Sequence, residues 1–232
     1  MPVMPDIPKA EIAIVEQTNA FRVANKLQSV RTAPALTKAA REFAGFLSSS
    51  TLFSHEADGR RPIDRIKAAG YAPCATAENL AWHSDSRGFE TLQLATATVE
   101  GWKNSPGHRK NLLMYHATET GVAIVKTRRE EKYFAVQLFG RPDTLKYSFR
   151  VENTAAREVV YRVAGEAMRV APRQIVTHTA CLPACLPAEI AIDVKAGGLL
   201  SKDVTSTYQA KGGQVYRLTG KGSEIAVEVV EK

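Results

Sequence analysis

The chain has 232 residues, of which 44% are hydrophobic and 24% charged, and its formal net charge is +7. This length can bury a substantial core and suffices for one large or two ordinary domains. No apolar run approaches the roughly 20 residues that span a bilayer, and the basic side chains are dispersed instead of forming a block that tracks a nucleic acid. We therefore expect neither a transmembrane segment nor a nucleic-acid partner.

The first 140 residues are dominated by the helical repeat. Apolar side chains recur at that spacing in four stretches, 7–30, 36–47, 63–69 and 89–102. Three further stretches, 74–82, 121–126 and 133–139, are predicted to be extended, and the last two flank a polar hairpin. The pattern predicts a helix-rich region with a small antiparallel sheet.

From Tyr147 onward the apolar period is mostly two. Six or seven short alternating segments in some ninety residues indicate an all-β sandwich, for which an immunoglobulin-like arrangement is one candidate. The change falls near Gly140–Asp143, so we expect two domains, 1–140 and 143–232, and an α+β chain overall. The second half contains no motif with evident chemistry, which favours a binding or spacer module through which a protein partner is contacted.

Three stretches are the ones most suggestive of chemistry. The longest is Trp102–Leu113, in which a Ser-Pro-Gly turn interrupts a helical run and His108 follows it. Proline suits the first position of a helix, so this turn can hold His108 at a fixed angle. The others are the segment Phe53-Ser54-His55 and the run from Ala77 to Trp82, which includes Glu78.

The first half resembles the CAP superfamily, named for cysteine-rich secretory proteins, antigen 5 and plant pathogenesis-related class 1 proteins. The matches occur in order along the chain: Asn19 and Arg22, Phe53-Ser54-His55, Ala77–Ala81, Trp102, Ser105–Leu113, Gly121-Val122 and Gln137–Phe139. The Ser-Pro-Gly-His version is similar to the bacterial branch. The resemblance covers roughly Ile12 to Phe139 and implies an α-β-α sandwich around a three-stranded antiparallel sheet.

The same resemblance implies a cleft containing His55, His108 and Glu78. Many family members add a second glutamate three residues after the tryptophan, where this chain has Ser105. Glu56 and Glu100 are candidate substitutes, although neither matches the motif.

Two neutral imidazoles can supply two ligands to zinc, and Glu78 could orient one of them or act as a general base. A structural polar network explains the same residues equally well, because two histidines are an incomplete ligand set. We favour a binding protein for a metal ion or a small apolar or lipid-like ligand. The alternatives are a metal-dependent hydrolase and a structural or adhesion module without ligand.

The family's usual export predicts an extracytoplasmic location, although Met1–Asp6 lacks the pattern of a secretory signal. In an oxidising compartment we expect a disulfide between Cys181 and Cys185, with Cys74 left as a thiol; two ordinary thiols at 181 and 185 are the alternative.

Several further residues are expected to have no chemical role. These are Trp82 and Trp102 in the core, His83 and His116 on loops, His178 in the second half, Ser54 and Ser105 in turns, and Glu119 as a strand cap.

Overall fold

The computed structural model describes residues 1–128, 130–163, 165–181, 190–194, 204–220 and 225–231. The chain divides into two compact units, Met1–Thr144 and Leu145–Lys232. The division lies just beyond the Gly140–Asp143 stretch where the sequence pattern changes, because the last strand of the first unit continues to Pro142.

Five helices lie in the first unit: α1 (Ile7–Ala24), α2 (Pro34–Ser49), α3 (Pro62–Ala68), α4 (Thr91–Asn104) and α5 (Pro106–Leu112). All but α4 carry proline in the first turn, where the missing N–H costs no helical bond. α4 begins instead with a capping box between Glu90 and Gln93. Within the described part of the chain, no helix is long and apolar enough to cross a membrane.

α1 ends at Ala24, earlier than the helical repeat predicts. Lys26 has φ 61°, a left-handed conformation that a right-handed helix does not continue through. The chain then runs extended, and the Asn19 side chain holds it by donating to the Val30 carbonyl at 3.0 Å and accepting from the Val30 N–H at 2.8 Å.

The first unit has one four-stranded sheet, made of β1 (Arg31–Thr32), β2 (Pro73–Ser84), β3 (Glu119–Lys126) and β4 (Lys132–Pro142). The order is β1-β3-β4-β2; β2, β3 and β4 are antiparallel, and β1 runs parallel to β3. Sequence reasoning missed β1, because two residues are too few to show a period.

Both faces of this sheet are covered. One face packs against α1, α4 and α5, in a cluster that includes Ile14, Val99, Trp102, Leu112 and Ala135. The other packs against α2 and α3, in a cluster that includes Leu36, Phe43, Ile66, Leu80 and Val136. The adjacent residues Ala135 and Val136 belong to opposite clusters, as strand alternation requires. Gly121 lets α2 approach, since a Cβ there would lie 2.2 Å from the Thr37 amide nitrogen.

The second unit contains β5 (Tyr147–Asn153), β6 (Val159–Val163), β7 (Glu166–Val170), β8 (Ile175–Ala180), β9 (Ile190–Val194), β10 (Val204–Tyr208), β11 (Val215–Thr219) and β12 (Ala226–Val230). They form two four-stranded sheets, ordered β10-β9-β6-β7 and β12-β11-β5-β8. One hydrophobic cluster contains side chains of both sheets, among them Phe149, Tyr161 and Tyr216.

Cys74 and Cys181 are each disulfide-bonded. The expectation that Cys74 remains a thiol is therefore wrong. A bond between Cys181 and Cys185 was expected because they are close in sequence, but disulfides form between cysteines that are close in space. The expected Cys181–Cys185 bridge involves Cys185, which lies outside the described residues.

Candidate functional site

His55 is presented by the turn that follows α2. Its Nδ1 lies 2.8 Å from Oε1 of Glu78 on β2, and its side chain is 51% exposed while that of Glu78 is 2% exposed. The Nε2 atom of His55 has no hydrogen-bond partner among the described residues, so one nitrogen of this ring is held by the protein and the other remains available.

Glu78 is also paired with Arg65 of α3, which sequence reasoning missed. Nη2 of Arg65 lies 2.8 Å from Oε2 and 3.1 Å from Oε1, and both side chains are almost fully buried. The buried guanidinium thus lies directly against the buried carboxylate, as buried charges in proteins generally require. Both of its oxygens are thereby occupied.

Arg65 also organises the loop that carries His55. Nη2 donates to the His55 carbonyl at 2.8 Å, and Nη1 donates to the Arg60 carbonyl at 2.7 Å and to Oδ1 of Asp58 at 2.8 Å. The guanidinium lies 3.5 Å from the centre of the Phe43 ring on α2. The only sequence signal was an arginine next to the core residue Ile66 on a short helix, which does not distinguish a buried from a solvated side chain.

His108 lies in α5, whose position beside β2 is set by two asparagines. Asn79 donates to the His108 carbonyl at 3.2 Å, and Asn111 donates to the Glu78 carbonyl at 3.0 Å and to Oδ1 of Asn79 at 2.9 Å. Asn79 is fully buried. These bonds hold the backbone at His108 against the backbone at Glu78, which explains why the two motifs carry asparagine at these positions.

The buried Arg22 of α1 fixes the end of α5. It donates to the carbonyls of Leu112 at 2.8 Å, Met114 at 3.0 Å and Ala117 at 3.3 Å. Helix C-termini leave carbonyls without intrahelical partners, and a guanidinium can satisfy several at once. Burial lowers the pKa of Arg22.

The two cleft histidines have opposite electrostatic environments. The hydrogen bond to Glu78 raises the pKa of His55 above its ordinary value of 6.5. Burial, followed by the charge of nearby His55, lowers the pKa of His108 below that value. The charge of His55 thus acts on His108, and the two opposite pKa shifts favour protonation of His55 before His108 as the pH falls.

The two candidate glutamates do not complete this group. The carboxylate of Glu100 lies on the exposed side of α4, 2.7 Å from Nζ of Lys103, and Glu56 is exposed. In the described ranges no group of three or more His, Cys, Asp or Glu side chains is placed to hold a metal ion. The described part of the cleft therefore offers two imidazoles to a metal ion. Ser105, at the position of the second family glutamate, is the C-cap of α4 and the N-cap of α5.

Both tryptophans were expected in the core, but of the two Trp102 alone lies there. Trp102 is buried and its Nε1 donates to the Leu80 carbonyl at 3.0 Å, whereas Trp82 is 50% exposed. The core prediction for Trp82 is wrong: β2 is buried at Glu78–Leu80 and becomes exposed at Trp82, whose indole is approached by Lys132 with Nζ 4.5 Å from the ring centre.

Two further expectations need correction. His83 lies within β2 and not on a loop, and burial lowers its pKa. Glu119 does not simply cap a strand: its buried carboxylate accepts from Arg31 at 2.6 Å and from the Tyr71 hydroxyl at 2.5 Å. His116, which was expected on a loop, lies in a turn.

His178 lies on β8 in the second unit. Its ring stacks on Phe149 at 4.7 Å, and its Nε2 lies 3.0 Å from the Tyr161 hydroxyl. It is a partly buried packing residue of that unit.

Comparison with known proteins identifies the first unit. The model of the cysteine-rich secretory protein family, CAP, matches residues 15–139. The uncharacterized protein YkwD of Bacillus subtilis (strain 168) is 31% identical over 118 residues, which are 50% of this chain and 43% of YkwD. The chain therefore spans less than half the length of that relative.

Two solved structures are similar to part of the chain. An outer surface protein from Borrelia burgdorferi superposes with a TM-score of 0.51 at 23% identity, over 58% of this chain and 93% of that protein. An extracellular protein containing an SCP domain, from Bacillus anthracis str. Ames, gives a TM-score of 0.49 at 24% identity, over 58% of this chain and 41% of its own. The first of these similarities supports the fold.

Proposed function

The chain belongs to the cysteine-rich secretory protein (CAP) family, as a bacterial-type member, and from that premise we propose that it is an extracytoplasmic binding protein whose cleft takes a divalent metal ion between His55 and His108. The disulfide bonding of Cys74 and Cys181 supports the location, because disulfides persist in oxidising compartments. The structural neighbour from Borrelia burgdorferi is itself described as an outer surface protein.

One observation carries the metal proposal: Nδ1 of His55 is held at 2.8 Å by the buried carboxylate of Glu78. Metal-ligating histidines almost always engage a carboxylate or carbonyl through the other ring nitrogen, which orients the ring and raises its basicity. Nε2 of His55 is then the ligating atom. Glu78 acts as the orienting partner and not as a ligand, because Arg65 and His55 already occupy both of its oxygens.

The environment of His108 suits the second ligand. Only a neutral imidazole can ligate, and burial together with the His55 charge lowers the pKa of His108. Its ring nitrogens make no hydrogen bond within the described part of the chain. When bound, a zinc-like ion supplies Lewis acidity and keeps its remaining positions for water or another ligand.

Zinc titration calorimetry at pH 7.5 tests this proposal. We expect His55→Ala and His108→Ala each to remove most of the binding, and Glu78→Gln to weaken it by about 10–100-fold, the range for loss of an orienting partner. Affinity should also decrease with acidification, first as the pH falls through the pKa of His55, which lies above 6.5, because a protonated imidazole cannot ligate. His116→Ala, a histidine in a turn beyond α5, is the matched control and should bind as wild type.

Unchanged affinity in the double alanine variant would refute the site. If the wild-type protein binds no zinc, the Arg65–Glu78–His55 network has a structural role and does not orient a metal ligand. The hydrolase alternative is disfavoured by the same contacts, since a general base needs a free carboxylate oxygen near its water. If the wild type hydrolyses a peptide or an ester and Glu78→Gln does not, the hydrolase function is supported instead.

A small apolar ligand is a second candidate for a different site. An open cavity of about 320 Å³ beside α1 is lined by four apolar residues, Pro8, Ile12, Val15 and Val122, and by four polar ones, Glu11, Glu16, Thr32 and Thr37. A fatty acid should displace a fluorescent apolar probe from it equally in wild type and in the His55/His108 double alanine variant. If displacement of the probe is lost in the double alanine variant, the apolar ligand binds in the cleft instead.

We further propose that the first unit is an α-β-α sandwich domain and the second an all-β sandwich domain that makes protein contacts. The first is supported by the two hydrophobic clusters on opposite faces of one sheet, and the second by the single cluster shared between two sheets.

A further inference from the structure

A wide groove in the first unit has neither His55 nor His108 among its lining residues. Its volume is about 860 Å³, and it runs between Gly45 and residues 48–53, at the end of α2 and the turn after it, and residues 125–128, 130, 132 and 134 of the β3–β4 hairpin. We call it the hairpin groove. It is open, and polar and apolar side chains share its walls, so it offers no enclosed channel for an acyl chain.

Among the described lining residues of the hairpin groove, two cations, Arg128 and Lys132, and one carboxylate, Glu130, make no ion pair. Lys126 is neutralised by Glu131 at 2.9 Å. Arg128 is exposed and makes no ion pair with any described residue, and Lys132 contacts rings only, with Nζ 4.5 Å from the centre of Trp82 and 5.0 Å from that of Phe134. These two side chains provide separate attachment points for anionic groups.

Hydroxyl groups line the wall opposite. Ser48 donates to the Gly45 carbonyl at 2.8 Å, and Ser50 accepts from the Leu52 N–H at 3.0 Å. Each hydroxyl retains bonding capacity beyond these contacts. Thr51 lines the groove beside them. Such a wall suits a ligand that itself carries many hydroxyls.

Exposed aromatic rings lie in and beside the groove: Phe53 lines it, and Trp82 is next to the lining residues Lys132 and Phe134. Phe53 is 43% exposed, and its ring lies 5.8 Å from that of Phe134. Trp82 is 50% exposed and pairs with Phe134 in the register of β2 and β4. Aromatic faces attract polarised C–H groups and cations, so an exposed indole is a platform for the apolar face of a sugar ring.

We propose that the hairpin groove binds an acidic oligosaccharide. Its carboxylates pair with Arg128 and Lys132, its hydroxyls bond to the serine and threonine wall, and its rings stack on Trp82 and Phe53. Two unpaired cations are too few to track a nucleic-acid backbone, and the polar open walls disfavour lipid. The site requires no metal and does not depend on the cleft histidines.

Isothermal titration with hexagalacturonate, in the presence of EDTA and at low salt, tests this assignment. Maltohexaose, a neutral chain of equal length, should bind at least about tenfold more weakly. We expect Trp82→Ala to weaken hexagalacturonate binding by about fivefold, and Arg128→Ala with Lys132→Ala by about tenfold together, from the usual strength of aromatic contacts and exposed ion pairs. Because Trp82 and Arg128 are exposed, these variants should fold as wild type, which circular dichroism checks.

Two variants serve as matched controls: Lys38→Ala removes an exposed cation of α2, and Tyr115→Ala removes a ring that is 71% exposed. Both should bind as wild type. The proposal is overturned if hexagalacturonate does not bind, if Trp82→Ala binds as tightly as wild type, or if an oligothymidylate or oleate binds the groove more tightly than the acidic sugar. If the zinc-free protein still binds the sugar, this site is independent of the metal site proposed for the cleft.

Discussion

The two units bury different kinds of polar group. Among the described residues, the first unit buries charged side chains that include Arg22, Arg65, Glu78 and Glu119, whereas the buried polar side chains of the second are the neutral amides Asn153 and Gln214. Burying a charge is costly, and replacing a buried ion pair by apolar side chains is often neutral or stabilising. Charges retained inside the first unit are therefore better explained by the geometry they impose on the cleft than by stability.

Asn153 shows the contrasting use of a buried polar group. It donates to the carbonyls of Arg157 at 2.8 Å and Val170 at 2.9 Å, and accepts from the Ala155 N–H at 3.0 Å. All three contacts are to backbone, and they shape the turn between β5 and β6. The second unit thus uses its buried amide to shape a turn, while the first uses buried ions to position titratable side chains.

The largest expected effect is on the first unit. Arg65→Met should lower the free energy of unfolding by about 3–5 kcal/mol, because it leaves Glu78 buried without its cation. Arg61→Met, which breaks the exposed pair with Asp64, is the control and should cost at most about 1 kcal/mol. Both tryptophans lie in the first unit, so urea unfolding followed by tryptophan fluorescence reports on it. A change for Arg65→Met no larger than that for Arg61→Met would contradict the role given to the buried pair.

A smaller effect should be confined to the second unit. Asn153→Ala leaves two carbonyls and one N–H without their partner and should cost about 1–3 kcal/mol. The tryptophan transition should stay in place while the unfolding followed by far-UV circular dichroism gains an earlier step. If both signals shift together, the two units unfold as one, and the comparison drawn between them fails.

The smallest effect is the pH dependence of the cleft. The pKa of His55 is raised on folding, so its contribution to stability is fully present below about 6.5 and is lost as the pH rises through its folded pKa. The pKa of His108 is lowered, so its contribution is fully present above about 6.5 and is lost as the pH falls from there through its folded pKa. The net change is small because His55 is half exposed and solvent screens its charge.

Histidine NMR titration measures both groups directly. We expect His55 to titrate above 6.5 and His108 below it, and Glu78→Gln to lower the pKa of His55. Titration of the two rings in the reverse order would show that Glu78 does not control His55.

The periodicity of the sequence determined which segments are helical and which extended, because helices and strands bury one face at their own repeat. The predicted helices at 36–47, 63–69 and 89–102 overlap α2, α3 and α4, and the three predicted strands overlap β2, β3 and β4. The ordered motifs also identified the family, and they predicted the two cleft histidines. These are local patterns that can be read residue by residue.

The tertiary structure alone decided the partners of these residues. Arg65 and Glu78 lie 13 residues apart on consecutive elements and meet because α3 packs against β2. The short strand β1, the exposure of Trp82 and the disulfide bonding of Cys74 likewise depend on what lies next to each segment in space. Whether a charged side chain is buried, and with which partner, is set by the packing of distant elements, and no period or spacing in the chain encodes it.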